Sequence, residues 1–229
     1  MNCKTQLVVF LGMLMAGALA VAEDAMAPID LSKFPGKIKL ACVGDSITQG
    51  AGTGGNPYPK QLQALLGEKW EVGNFGVSGR TLLNKGDFPY TKERKYQDAL
   101  AMNPDVVIIK LGTNDTKPQN WKFRDEFEAD YKKLIGSFQT LAGKPRIFIC
   151  RPVPVIGNGA FHISESGIQE QLPVLEKIAK EMNVGIIDMY AALKDHPEMI
   201  PDKVHPNAEG AGKMAGAACA VLLGNKKVD

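Results

Sequence analysis

Charge imbalance is the first thing this sequence lacks: 27 Lys and Arg stand against 25 Asp and Glu, a formal net charge of +2. Such a chain carries no field that would draw in nucleic acid or an anionic membrane, so a neutral or small ligand is the expected partner. Cysteine is scarce too. The four cysteines, Cys3, Cys42, Cys150 and Cys219, show no metal-ligand spacing. The last three lie in apolar settings that suit buried free thiols better than a bridge framework. Histidine is rarer still, with only His162, His196 and His205. Long apolar runs are missing beyond the N-terminus, where Leu7 to Leu19 is too short to span a bilayer comfortably. With Lys4 ahead of it and A-x-A sites at Ala18 to Ala20 and Ala20 to Ala22, residues 1–22 read as a secretory signal peptide. Cys3 precedes the apolar run instead of following it, so the lipoprotein order is absent. The mature chain, 23–229, is therefore expected to be exported, to periplasm or medium, with no stable membrane association.

What is present is a regular alternation. A chain of 229 residues that is 45% hydrophobic and 23% charged fits one compact domain whose core needs no disulfide staples. Runs rich in Val and Ile at 37–43, 70–77, 105–112, 146–151 and 183–189 have the composition of parallel strands buried on both faces. Helical patterns lie between and after them. From Phe123 to Leu141, Phe127, Tyr131, Leu134, Ile135 and Phe138 form one apolar stripe, and Gly143 then Pro145 stop it. Pro173 is expected near a helix start, where its missing N–H costs nothing. The sum is an α/β fold, a three-layer α/β/α sandwich around a five-stranded parallel sheet. Ligands in such sheets bind beyond the carboxyl ends of the strands.

The turn after the first strand reads GDSITQGAGTGG. Its second half matches a dinucleotide loop, but that fingerprint must begin at the strand end and open a helix. Here GDSITQ intervenes and Pro57 and Pro59 follow, so GAGTGG reads as a turn needed for positive φ and close approach. Ser46 is then either a plain helix-capping serine or a nucleophile. Asp202 and His205, at i and i+3, favour the second reading, because a carboxylate so placed can fix the tautomer of the imidazole and leave its other nitrogen for a serine hydroxyl. GVSGR supplies the Gly79 N–H and GTND the Asn114 amide, both at strand ends, as candidate donors to a developing oxyanion. Each taken alone is also ordinary turn chemistry.

These four motifs, GDS with Ser46, NFGVSG with Gly79, GTND with Asn114 and D-x-x-H with Asp202 and His205, occur in an order that resembles the SGNH hydrolases, or GDSL esterases and lipases. The resemblance runs from Lys37 almost to the C-terminus and implies a flavodoxin-like sandwich. It further implies Ser46 as nucleophile, His205 as base and Asp202 as its orienting acid. The oxyanion hole would be the N–H groups of Ser46 and Gly79 with the Asn114 amide, and neither cofactor nor metal is required. An α/β-hydrolase is excluded, because Thr48 stands where G-x-S-x-G needs its second glycine.

The wording of the motifs resembles exported bacterial carbohydrate or sialate O-acetylesterases, which implies acetyl esters on a glycan as substrate. The alternatives within the resemblance are a lysophospholipase or an acyl-thioesterase, and outside catalysis a carbohydrate-binding relative. Trp121, Tyr90 and Phe161, in polar edge loops, are the candidate sugar-stacking residues, with loop pinning as the competing reading for Trp121 and Phe161.

Overall fold

The computed structural model describes residues 25–224, so the expected signal peptide and Cys3 lie outside the described residues. Five parallel strands form one sheet: β1 (Ile38–Gly44), β2 (Trp70–Gly76), β3 (Val106–Lys110), β4 (Arg146–Arg151) and β5 (Gly185–Asp188). Their spatial order is β2-β1-β3-β4-β5. Register is continuous across the centre, with Cys42 opposite both Asn74 and Ile108, and Ile108 opposite Phe148.

Alternation along these strands builds two cores. Leu40, Cys42, Val106, Ile108, Phe148 and Cys150 face one side and pack with α2 (Tyr58–Leu66) and α8 (Ala208–Leu223). Ala41, Val43, Val107, Ile109, Ile147 and Ile149 face the other, against α3 (Arg94–Ala101), α5 (Phe127–Gln139) and α6 (Glu165–Met182). A strand apolar at every position is what a sheet covered on both faces demands. The result is the expected three-layer sandwich. Cys42, Cys150 and Cys219 are buried free thiols.

The apolar stripe of α5 is buried at all five expected positions, each such side chain contributing about 1.5–3 kcal/mol on burial. The helix itself is shorter than its pattern, because a 3-10 turn at Arg124–Glu126 precedes it. Two expectations need correction in α6. Ser164 caps this helix through Gly167 N–H, which leaves Pro173 in its interior and not near its start. Asn183 does not begin β5; at φ 52° it is the left-handed residue that ends α6.

The sheet order places β1 between β2 and β3, so the connection after β1 runs to β2 on one side and the connection after β3 runs to β4 on the other. A crevice forms where that happens, at the carboxyl edge. Ser46 follows β1 and Asn114 follows β3 across this crevice.

Candidate active site

β1 ends at Gly44, and Asp45 caps a single helical turn, α1 (Ser46–Gln49), by accepting the Ile47 N–H at 3.0 Å. The same carboxylate meets the Lys110 ammonium at 3.1 and 3.3 Å, and Lys110 also donates to Thr113 Oγ at 2.6 Å. Asp45 and Lys110 are completely buried. The Ser46 turn therefore rests on a buried ion pair that ties the end of β1 to the end of β3. As first residue of its helix, Ser46 has no intrahelical acceptor for its N–H.

On the far side, Asp202 closes its own turn by accepting the N–H of Val204 at 3.0 Å and of His205 at 2.6 Å on Oδ1. Its Oδ2 lies 2.7 Å from His205 Nδ1. Burial pushes the Asp202 carboxyl up, but the His205 N–H, the His205 ring and the Val204 N–H together outweigh that and hold it below the usual carboxylate range. With Nδ1–H donating to Asp202, Nε2 is left to accept the Ser46 hydroxyl, 2.9 Å away. Gly52 fits the turn to this segment: at φ 84° its missing Cβ would stand 2.9 Å from the Pro206 carbonyl. GAGTGG thus serves as a turn that seats the histidine strap, and the helix behind it, α2, opens only at Tyr58, after Asn56 and Pro57.

The third wall is formed by the turns after β2 and β3. Gly79 has φ 79°, a conformation suited to glycine, and nothing lies within 4 Å of the position its Cβ would take. Among the described residues, none accepts its N–H. Asn114 is buried, gives one side-chain amide hydrogen to the Arg80 carbonyl at 3.2 Å, and its backbone carbonyl accepts from the Asn120 side chain at 2.9 Å. Among the described residues, none accepts the second amide hydrogen. The structure thus offers three donors, the N–H groups of Ser46 and Gly79 and the Asn114 amide, on turns held by partners that do not compete for them.

One clamp here has no signature in sequence. Asp115, fully buried, accepts Leu82 N–H at 3.0 Å and Leu83 N–H at 2.8 Å, fastening the segment after Gly79 to the GTND turn. Burial, opposed by those two N–H groups, pushes its carboxyl up to about 7.

A family description for GDSL-like lipases and acylhydrolases matches residues 42–213, a span that holds every residue of this constellation. The chain belongs to that family. Among relatives of this GDSL-like chain, an acetylxylan esterase of Xylanibacter ruminicola is 41% identical over 207 residues, covering 81% of this chain and 43% of the relative. The chain thus spans less than half the length of that relative. An acetylxylan esterase of Geobacillus stearothermophilus is 28% identical, over 75% of this chain and 88% of that one. The crystal structure of a catalytic mutant of a Geobacillus stearothermophilus acetylxylan esterase superposes with a TM-score of 0.66 at 25% identity, covering 83% and 96% of the two chains.

The three aromatic residues expected to meet a sugar differ in exposure. Tyr90 is a correction: it is 1% exposed, packs edge-on against Tyr96 and donates its hydroxyl to the Phe75 carbonyl at 2.7 Å. The 81–90 loop folds inward because Thr81 pairs with Pro89 and Leu82 and Leu83 join the core. Trp121 is half-buried, its indole lying edge-on to Phe127 and its N–H bonded to Glu170, contacts that pin its loop. Phe161 is exposed and its ring centroid is 5.6 Å from that of His205. Of the other histidines, His196 faces Glu198. Among the described residues, no group of three or more His, Cys, Asp or Glu is gathered to hold a metal ion.

Proposed function

We propose that this protein is a serine esterase that removes acetyl groups from a carbohydrate. The observation that carries the reading is the continuous relay from Ser46 Oγ to His205 Nε2 at 2.9 Å and from His205 Nδ1 to Asp202 at 2.7 Å, beside three unclaimed donors. In this reading His205 takes the Ser46 proton as Oγ attacks the ester carbonyl, and Asp202 stabilises the imidazolium. The N–H groups of Ser46 and Gly79 and the Asn114 amide receive the oxyanion. His205 then protonates the departing sugar oxygen, which leaves as a hydroxyl, and water repeats the sequence on the acetyl-enzyme.

The acetyl assignment follows from what surrounds the serine. A long acyl chain needs an apolar bed. Leu82 and Leu83, two of the three large aliphatics in the edge loops, are buried in the core and unavailable to line one. The 41% identical acetylxylan esterase supports the same choice. The kcat/KM on nitrophenyl acetate should exceed that on nitrophenyl octanoate by at least about tenfold, roughly 1.4 kcal/mol. A buried methylene is worth about 0.8 kcal/mol, so a true long-chain site gives the opposite order, which would move the assignment to a lysophospholipase or thioesterase.

Asn114 tests the oxyanion geometry. Asn114→Ala should lower kcat by roughly 10² to 10³, about 3 to 4 kcal/mol, with KM little changed, because the contact matures only in the transition state. Steady-state kinetics decide it: a variant that mainly raises KM makes Asn114 a ground-state binding group.

A further inference from the structure

Four large hydrophobic side chains are exposed among the described residues, Met26, Leu31, Phe88 and Phe161, and the two aromatics lie against residues of the site or next to it, Phe161 against His205 and Phe88 against Arg80. Phe161 stands on the histidine side, and both residues are more than half exposed, Phe88 by 54% and Phe161 by 57%. On the oxyanion side, the Arg80 guanidinium lies 5.5 Å from the centre of the Phe88 ring, and Arg80 is the residue after Gly79. Its carbonyl is also the one that Asn114 grips, so the Phe88 platform is built onto the donor turns. Glu93 holds the same guanidinium at 2.9 Å, which fixes its position beside the ring.

The Phe161 loop is equally tied to the site. Ile156 N–H bonds to the Lys203 carbonyl inside the Asp202 to His205 turn at 3.0 Å, and Ser164 N–H bonds to Thr116 Oγ after the GTND turn at 3.1 Å. Between those two anchors, Phe161 and His162 take φ of 56° and 60°, two successive left-handed residues with side chains. Such backbone is disfavoured for bulky residues and persists where surrounding contacts enforce it, often at ligand clamps. Neither ring joins the core clusters, so folding gains little from placing them in water.

We infer that Phe88 and Phe161 are two sugar-stacking platforms on opposite sides of Ser46, making this site one that grips an acetylated oligosaccharide chain and not a lone acetylated sugar. The inference rests on the proposed carbohydrate acetylesterase activity. An aromatic face offers the apolar C–H face of a pyranose area to bury while the ring hydroxyls stay wet. One sugar carries the acetyl group to Ser46, and its neighbours along the chain reach the platforms.

The test compares kcat/KM for acetate release from acetylated xylohexaose with that from acetylated xylobiose, in wild type, Phe88→Ala, Phe161→Ala and the double variant. The ratio within each variant cancels any effect on the chemical step that both substrates share. Wild type should favour the longer chain by about tenfold or more. Each alanine variant should shrink that ratio by about threefold, mainly through KM of the hexaose, and the double variant should abolish it, while Phe161→Tyr and Phe88→Tyr retain it. Wild type with no length preference, or alanine variants that keep it in full, would overturn the platforms and leave the esterase reading standing. Failure of wild type on both oligosaccharides and on nitrophenyl acetate would instead remove the esterase reading, and the platforms with it.

Discussion

Ser46→Ala is expected to lower kcat for ester hydrolysis by at least about 10⁴ while the protein stays folded. The hydroxyl oxygen is the atom that bonds to the acyl carbon in the proposed acyl transfer, and residues of such a relay act as a unit whose loss costs on the order of 10⁴ to 10⁶. His205→Ala should fall as far, because without Nε2 the Ser46 proton has no acceptor at 2.9 Å. Folding should survive both changes. Ser46 and His205 sit at the carboxyl edge of the sheet, and neither belongs to the hydrophobic clusters. Circular dichroism would check the fold and acetate release the rate. More than a few per cent of wild-type kcat in purified Ser46→Ala would remove Ser46 as nucleophile.

Lys110→Met is expected to produce the largest loss of stability, about 3 to 5 kcal/mol. Its ammonium is completely buried and pairs with the equally buried Asp45 carboxylate at 3.1 Å. Removing one partner of such a pair strands the other charge in the interior, which costs more than the pair itself contributes. For a domain of this size, that corresponds to a fall in Tm of roughly 10 °C or more. The second variant separates this cause from simple loss of packing. Asp45→Asn in the Lys110→Met background removes the stranded charge yet keeps an oxygen to cap Ile47 N–H. The double variant should regain more than half of the loss. A single-variant loss under about 1 kcal/mol, or no recovery in the double variant, would show that the ion pair does not anchor the Ser46 turn.

The sheet was legible in the sequence because parallel strands covered on both faces leave nearly unbroken Val and Ile runs, as at Val106–Lys110. The relay was legible for a related reason: its members sit in short motifs at strand ends, and Asp202 and His205 share a single turn. Long-range pairings left much weaker traces. Asp45 and Lys110 are 65 residues apart, and only the oddity of a lysine ending the apolar run DVVIIKLG signals that a buried partner is needed. Asp115 and the Leu82 and Leu83 N–H groups are separated by more than thirty residues. Without that clamp in view, Tyr90 reads as a loop aromatic facing solvent, whereas the inward fold of its loop makes it core. Pro173 misled for a local reason. Its usual place is the first helical turn, but the Ser164 cap starts α6 well before it, and buried residues on both sides, from Ile168 to Ile178, hold the helix through it.

The most direct test of the central claim is to treat the protein with a fluorophosphonate and locate the adduct by peptide mass spectrometry. The relay from Asp202 through His205 to Ser46 activates one serine, so the account predicts a single adduct, on the peptide containing Ser46, formed in step with loss of esterase activity. Labelling that spares Ser46 while activity disappears, or full activity on protein labelled at Ser46, would contradict it.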